Sequence, residues 1–221
     1  VIHEQRGTVD KYIGDAIMAF WGAPLPDPDH ARHAVQAALA LKTRLAELEP
    51  ELRAHGWPPL HIRIGINSGP MNVGNMGSEY RMAYTVLGDA VNLAARLEGI
   101  AKQYGVAIVI SQTTRVATPE IACRELDRVR VKGRDQPVTL FEPLGPTDAL
   151  TAAIHEELRT NEQALSAYRA GDWAQATLLF QQLQSCHPDQ SLYNIYLERI
   201  AVLCTQPLAV AWDGVSTLTE K

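Results

Sequence analysis

Gly7-Thr-Val-Asp-Lys-Tyr-Ile-Gly-Asp-Ala-Ile-Met-Ala-Phe-Trp21 is the stretch that decides how this chain is read. Two apolar-rich segments, Thr8 to Ile13 and Ala16 to Trp21, flank the two residues Gly14-Asp15. A two-residue loop opening on glycine favours a type II′ turn, which requires a positive φ at its first central position. The spacing therefore predicts a β-hairpin with the Asp15 carboxylate at its tip. In that register Lys11 pairs with Met18 and, by strict alternation, shares a face with Val9, Ile13 and Phe20. A lysine on so apolar a face needs a reason, and an edge-strand charge that discourages sheet-to-sheet association is one.

With 221 residues, the chain has material for one sizeable domain, or for one domain and a smaller extension. A formal net charge of -5, and the lack of any lysine or arginine run, argue against a nucleic-acid partner but leave room for a local phosphate site. Cys123, Cys186 and Cys204 are odd in number, far apart and free of any C-x-x-C pair, which suits packing residues in a reducing cytosol. No run approaches the roughly 18 apolar residues that cross a bilayer, and no signal-peptide pattern opens the sequence, so a cytoplasmic location is expected. Val1 to Arg6 followed by Gly7 reads as the last turns of a helix with a glycine stop, so the chain is expected to begin inside a domain.

Beyond the hairpin, Gly22 to Pro28 is a proline-rich connector. Ala31, Ala34, Val35, Ala38, Leu41, Leu45 and Leu48 then recur at helical spacing behind Asp29 as N-cap, with His30 and His33 on a solvated face. Leu60 to Ile66 alternates as a half-buried strand. Met71 to Gly77 carries two glycines in a strand-like run, which signals a bulge or the close approach of a ligand or second backbone. Tyr84 to Gly88 is extended. Asp89 is expected to cap a helix to about Gln103 whose apolar face holds Ala90, Leu93, Ala94, Leu97 and Ala101, while Asn92 and Arg96 stack four apart on another face. Strands are expected at Val106 to Ile110, Glu125 to Val131 and Val138 to Leu144, with a short helix at Gln112 to Ala117 and a surface turn at Lys132 to Pro137. The pattern is that of an α+β sandwich with a largely antiparallel sheet. Past Pro146 three helices follow, Asp148 to Ala170, Asp172 to Cys186 and Ser191 to Cys204. Tyr168 to Asp189 resembles one tetratricopeptide helix pair, which alone cannot form a solenoid and must pack on the first domain or on a partner.

Asp10-Lys-Tyr-Ile-Gly-Asp-Ala-Ile-Met-Ala19, Gly65-Ile-Asn-Ser-Gly69, Val73-Gly-Asn-Met-Gly77 and Tyr84-Thr-Val-Leu-Gly-Asp-Ala-Val-Asn-Leu-Ala-Ala-Arg-Leu-Glu98 together resemble the catalytic domain of class III nucleotide cyclases. The likeness covers roughly residues 1 to 145, leaving 146 to 221 as a helical, tetratricopeptide-like extension. It implies a ferredoxin-like α/β sandwich, and an enzyme that closes ATP into 3′,5′-cyclic AMP and releases pyrophosphate. It implies two divalent cations, Mg²⁺ or Mn²⁺, clamping the attacking and leaving oxygens, with Asp15 as the second metal aspartate. Lys11 and Thr85 match the residues that read the purine edge, Asn92 the one that orients the ribose, Arg96 the one that meets charge on the α-phosphate, and Lys132, with Arg134 nearby, the cation that holds the triphosphate. Lysine and threonine suit adenine, where guanylyl members carry glutamate and cysteine. Because motifs of both half-sites lie on one chain, the resemblance implies a symmetric homodimer.

The family's first metal aspartate belongs to an opening Phe-x-Asp-Ile-x-Gly-Phe strand, and no such stretch occurs here. The expectation is therefore an N-terminally truncated domain, nearly inactive by itself; relatives with this kind of helical tail often carry an N-terminal sensor and membrane helices, which implies a membrane-anchored parent. A non-catalytic nucleotide-binding or dimerisation module and a guanylyl cyclase are the alternatives.

Overall fold

The computed structural model describes residues 1–130, 136–205 and 212–217. In chain order it runs β1 (Thr8–Ile13), β2 (Ala16–Phe20), α1 (His30–Ala54), β3 (Ile64–Ile66), β4 (Asn72–Ser78), β5 (Arg81–Leu87), α2 (Asp89–Tyr104), β6 (Ile108–Ser111), α3 (Gln112–Val116), β7 (Ile121–Arg130) and β8 (Val138–Pro146). A 3-10 turn (Thr147–Ala149) then leads into α4 (Ala152–Ala170), α5 (Trp173–Cys186), α6 (Ser191–Thr205) and β9 (Ser216–Thr217). Five strands form one sheet in the order β3-β6-β8-β7-β9, while β1-β2 and β4-β5 are separate antiparallel hairpins. The pairs β3-β6 and β7-β9 are parallel and the other four antiparallel. The mixed α/β class, the mainly antiparallel pairing and the small helical C-terminal part are as the sequence leads one to expect.

Alternation along β6 sorts the core into two clusters. Ile108 and Ile110 turn to one side with Ile121, against Val35 and Ala38 of α1. Val109 turns to the other, into a cluster that joins Leu93, Leu97, Ile100 and Tyr104 of α2 to Leu126, Val129 and Leu140 of the sheet. Tyr168, Phe180, Tyr193 and Tyr196 of the last three helices belong to that same cluster. The expected boundary at residue 145 falls within the last residues of β8, and hydrophobic packing continues across it.

Polar contacts reinforce this seam. The Tyr104 hydroxyl donates to Asp127 at 2.7 Å, Arg199 of α6 donates to the same carboxylate at 2.6 Å, and the Tyr196 hydroxyl donates to the Leu126 carbonyl at 2.8 Å. Burial is the largest single influence on Arg199 and opposes its charge, but the Asp127 carboxylate together with Tyr104 and Tyr196 outweighs it and holds the guanidinium pKa above its ordinary value. Three residues earlier on β7, Arg124 bridges Glu142 at 3.1 Å and Glu157 of α4 at 2.8 Å, all three buried.

Several local expectations are corrected. Residues 2–6 are turns and not a full helix, but they close as a helix end does: Gln5 N–H donates to the Val1 carbonyl at 3.1 Å and Gly7 N–H to the Ile2 carbonyl at 2.9 Å, and the left-handed residue is Arg6, with φ 61°, and not Gly7. The strand expected from Leu60 is confined to Ile64–Ile66, since only those residues meet a partner on β6. Asp89 is the first residue of α2, which makes no side-chain cap bond at Gly88. Asp29 likewise makes no cap bond and pairs instead with Arg32. His33 does not lie on a solvated face. Its ring meets Asp27 at 2.7 Å, and that hydrogen bond is the main cause holding the Asp27 carboxyl below its usual range. Of the cysteines, Cys186 and Cys204 are exposed; burial pushes the Cys123 thiol up to about 11.

Arg199→Ala leaves the Asp127 carboxylate, 2% exposed, without its counter-charge. Urea unfolding followed by circular dichroism should show a loss of about 3 kcal/mol. A loss below about 0.5 kcal/mol, the range of an ordinary surface substitution, would show that the pair contributes nothing.

Candidate active site

The hairpin forms with the expected turn and register. Gly14 has φ 63°, Ile13 pairs with Ala16, and Lys11 pairs with Met18. Strict alternation fails one step further on, where Val9 pairs with Ala19, so that one extra residue, Asp10, is inserted as a β-bulge. A bulge brings two successive side chains toward the same side of a strand. Asp10 and Lys11 accordingly both reach Thr85, and the expected shared face of Val9 and Lys11 is broken.

Thr85 lies 6% exposed on β5 opposite Gly74 of β4. Lys11 Nζ donates to Thr85 Oγ1 at 3.1 Å, and Thr85 Oγ1 donates to Asp10 Oδ2 at 2.5 Å. The Lys11 ammonium also stands 3.5 Å from Asp10 Oδ1, an oxygen that is buried and accepts no hydrogen bond. Rings of Phe20 and Tyr84, 6.1 Å apart, close the contact between the two hairpins. The sequence reading missed Asp10, because period-two alternation sends it to the opposite face. The one available signal was an acid next to a base inside an otherwise apolar strand.

A second constellation rides on α2. Leu93 and Leu97 are buried on one face, and Asn92 and Arg96 are exposed on another, one helical turn apart. Gly65 lets β3 press against this helix: a Cβ there would come within 2.2 Å of the Ala94 carbonyl oxygen and 2.3 Å of the Glu98 nitrogen. Asn67 donates to the Ala90 carbonyl at 2.9 Å and accepts from Thr113 at 3.1 Å, bolting the start of α2 to α3. Arg63 pairs with Glu98 at 3.0 Å on the outer side. The Gly65 to Gly69 segment therefore acts on the site indirectly, by seating the helix that carries Asn92 and Arg96. Of the two readings of the glycines in β4, a bulge is absent, because its register with β5 is unbroken, and the close approach of a second backbone is what Gly77 meets, at Arg81.

Asp15 is exposed at the hairpin tip, apart from both pairs. Among the described residues no group of three acids, histidines or cysteines could hold a metal ion, so the described side chains of one protomer offer one fitting ligand and not a complete site. Lys132 and Arg134 lie outside the described residues. Around the tip, Tyr12, Ile13 and Ile17 are exposed, as are Met82, Tyr84 and Leu87 on the second hairpin. Val73 and Tyr80 of the second hairpin are exposed as well, and while singly exposed apolar side chains are ordinary, eight on two adjoining hairpins mark an area suited to association. No helix among the described residues is long and apolar enough to cross a membrane.

The chain is similar to known proteins over most of this region. The profile of the adenylate and guanylate cyclase catalytic domain matches residues 2–142. Adenylate cyclase 1 of Rhizobium meliloti (strain 1021) is 36% identical over 160 residues, 69% of this chain and 24% of that protein. An adenylate cyclase of Anabaena cylindrica is 37% identical over 149 residues, 64% of this chain and 29% of its own length. The chain thus spans about a quarter of the length of these relatives. Among solved structures, the adenylyl cyclase CyaB from P. aeruginosa superposes with a TM-score of 0.60 at 34% identity, over 67% of this chain and 77% of that one. The guanylyl cyclase Cya2 does so with a TM-score of 0.61 at 33% identity, over 68% and 76%. Matched by that profile over more than half its length, this chain belongs to the adenylate and guanylate cyclase catalytic domain family.

Proposed function

We propose that the chain is the catalytic domain of an adenylyl cyclase, converting ATP to 3′,5′-cyclic AMP and pyrophosphate at sites shared by two copies of the chain. Overall likeness does not choose the purine, because an adenylyl and a guanylyl cyclase superpose almost equally well. The choice rests on one observation, the 3.1 Å contact of Lys11 with Thr85. An ammonium donor beside a hydroxyl matches adenine, which offers an acceptor ring nitrogen next to a donor amino group.

In this reading the ribose 3′-hydroxyl gives up its proton to solvent, its oxygen bonds to the α-phosphorus, and the bond from that phosphorus to the leaving pyrophosphate breaks. Asn92 holds the ribose, and Arg96, one turn along and solvent-facing, supplies guanidinium donors to the charge that grows on the α-phosphate. Lys132 is assigned to the triphosphate. Asp15 is assigned as one ligand of the divalent cations on which the family generally relies, which would neutralise the triphosphate. The described side chains do not complete the site of those cations. The exposed apolar residues of the two hairpins are assigned to contact with a second copy of the chain, and α4 with α5 to a tetratricopeptide-like pair whose partner is the cyclase core itself.

Three measurements test this on the protein expressed with any sequence its gene encodes ahead of Val1. Cyclic AMP should form from ATP, with Arg96→Ala lowering kcat by about 100-fold while ATP binding changes little; undiminished turnover in Arg96→Ala or Asp15→Ala would sink the assignment, and ATP binding without any product would favour a regulatory module. Lys11→Glu combined with Thr85→Cys should move the ATP-to-GTP ratio of kcat/KM toward GTP by at least about tenfold. Ile17→Asp, on the exposed hairpin face, should shift sedimentation from dimer to monomer, and an unchanged dimer would place the interface elsewhere.

A further inference from the structure

The adenine preference proposed above rests on two side chains, yet a threonine hydroxyl by itself is ambiguous. It carries one donor and two acceptor positions and rotates to suit its neighbours. Facing a purine, it can accept from the amino group of adenine or donate to the carbonyl oxygen of guanine. Something must fix its sense if it is to discriminate.

We propose that Asp10 is the specificity-positioning residue of the purine pocket, fixing the Thr85 hydroxyl as an acceptor. An ionised carboxylate can only accept, so the 2.5 Å contact between Thr85 Oγ1 and Asp10 Oδ2 commits the sole hydroxyl proton of Thr85 to Asp10. Lys11 Nζ, at 3.1 Å, occupies one of the two remaining lone pairs. The other lone pair is left for a substrate donor. The same carboxylate orients Lys11, whose ammonium lies 3.5 Å from Asp10 Oδ1, and at least one of its three N–H groups stays available for a ring acceptor. The outward pattern is acceptor beside donor, which complements adenine and opposes guanine at both positions.

Two further observations support this role. Asp10 is 1% exposed at its side chain, and its Oδ1 has no hydrogen bond, so the carboxylate has no structural duty there beyond Lys11 and Thr85. The β-bulge that inserts Asp10 beside Lys11 interrupts the ladder at this position alone in the hairpin. Opposite Thr85 stands Gly74, where an added Cβ would meet nothing within 4 Å, so the space over the pocket is open to a flat ring. Asp10 acts through Thr85 and Lys11 and does not itself touch the base.

The test is a double-mutant cycle read as nucleotide preference and not as activity alone. In the protein carrying any natural sequence ahead of Val1, binding of mant-ATP and mant-GTP and the kcat/KM for ATP and GTP are measured for the parent, Asp10→Asn, Thr85→Val and the double variant. Asp10→Asn frees the hydroxyl to donate outward, so the ATP-to-GTP ratio should fall about tenfold, mainly through KM. In the Thr85→Val background the same change should leave the ratio unaltered. Equal losses for both nucleotides, or the same fall in both backgrounds, would overturn the proposal. If Asp10→Asn does not fold, Thr85→Ser decides: with Asp10 intact its hydroxyl is still held, and the ratio should stay within about threefold, whereas its collapse would assign the orientation to the threonine methyl. Because mant-nucleotide binding needs no turnover, a parent that binds adenine selectively but makes no cyclic AMP defeats the cyclase reading and leaves this one standing.

Discussion

The burial of α2 governs the rest of the structure. One side of this helix is sealed by Leu93, Leu97, Ile100, Ala101 and Tyr104 in the main hydrophobic cluster. The opposite side carries Asn92 and Arg96 into solvent. A helix has only one rotational setting that buries a given apolar stripe, and a rotation of one residue would take about 100° out of that fit. Fixing the stripe therefore fixes the direction of Arg96. Gly65 sharpens the setting, since β3 touches the helix backbone more closely than any side chain would allow.

The seat of α2 is built from both ends of the chain. Strand β3 and α3 hold its start through Asn67, while α6 and β7 hold its last residue through Tyr104, Asp127 and Arg199. The helical extension is part of the wall against which α2 rests, both belonging to one hydrophobic cluster. Hydrophobic burial of this kind is non-directional, but the phenol, the carboxylate and the guanidinium set a single register for the contact.

Much of this was legible in the sequence because the relevant signals are local. A Gly-Asp pair between two apolar runs specified the hairpin and its Lys11–Met18 register. Helical spacing specified the two faces of α2, and a mixed α/β class followed from the order of elements. What stayed hidden depends on partners far away in sequence. The bulge at Asp10 answers to Thr85, 75 positions distant, and no alternation rule can anticipate it. The length of β3 was set by β6, the surroundings of His33 by Asp27, and the exposure of Cys186 and Cys204 by helix faces that no described segment covers. The segment holding Lys132 lies outside the described residues, and its reading rests on resemblance alone.

The β-bulge at Asp10 has a bearing on engineering. Two adjacent residues of one strand point into the same pocket, an arrangement that regular pleating forbids. The pocket is thus written partly in the backbone. Grafting the proposed purine preference onto a scaffold with an unbulged hairpin would require moving the extra residue as well as the side chains. A transplant of Lys11 and Thr85 alone would carry the letters and lose the spacing between them.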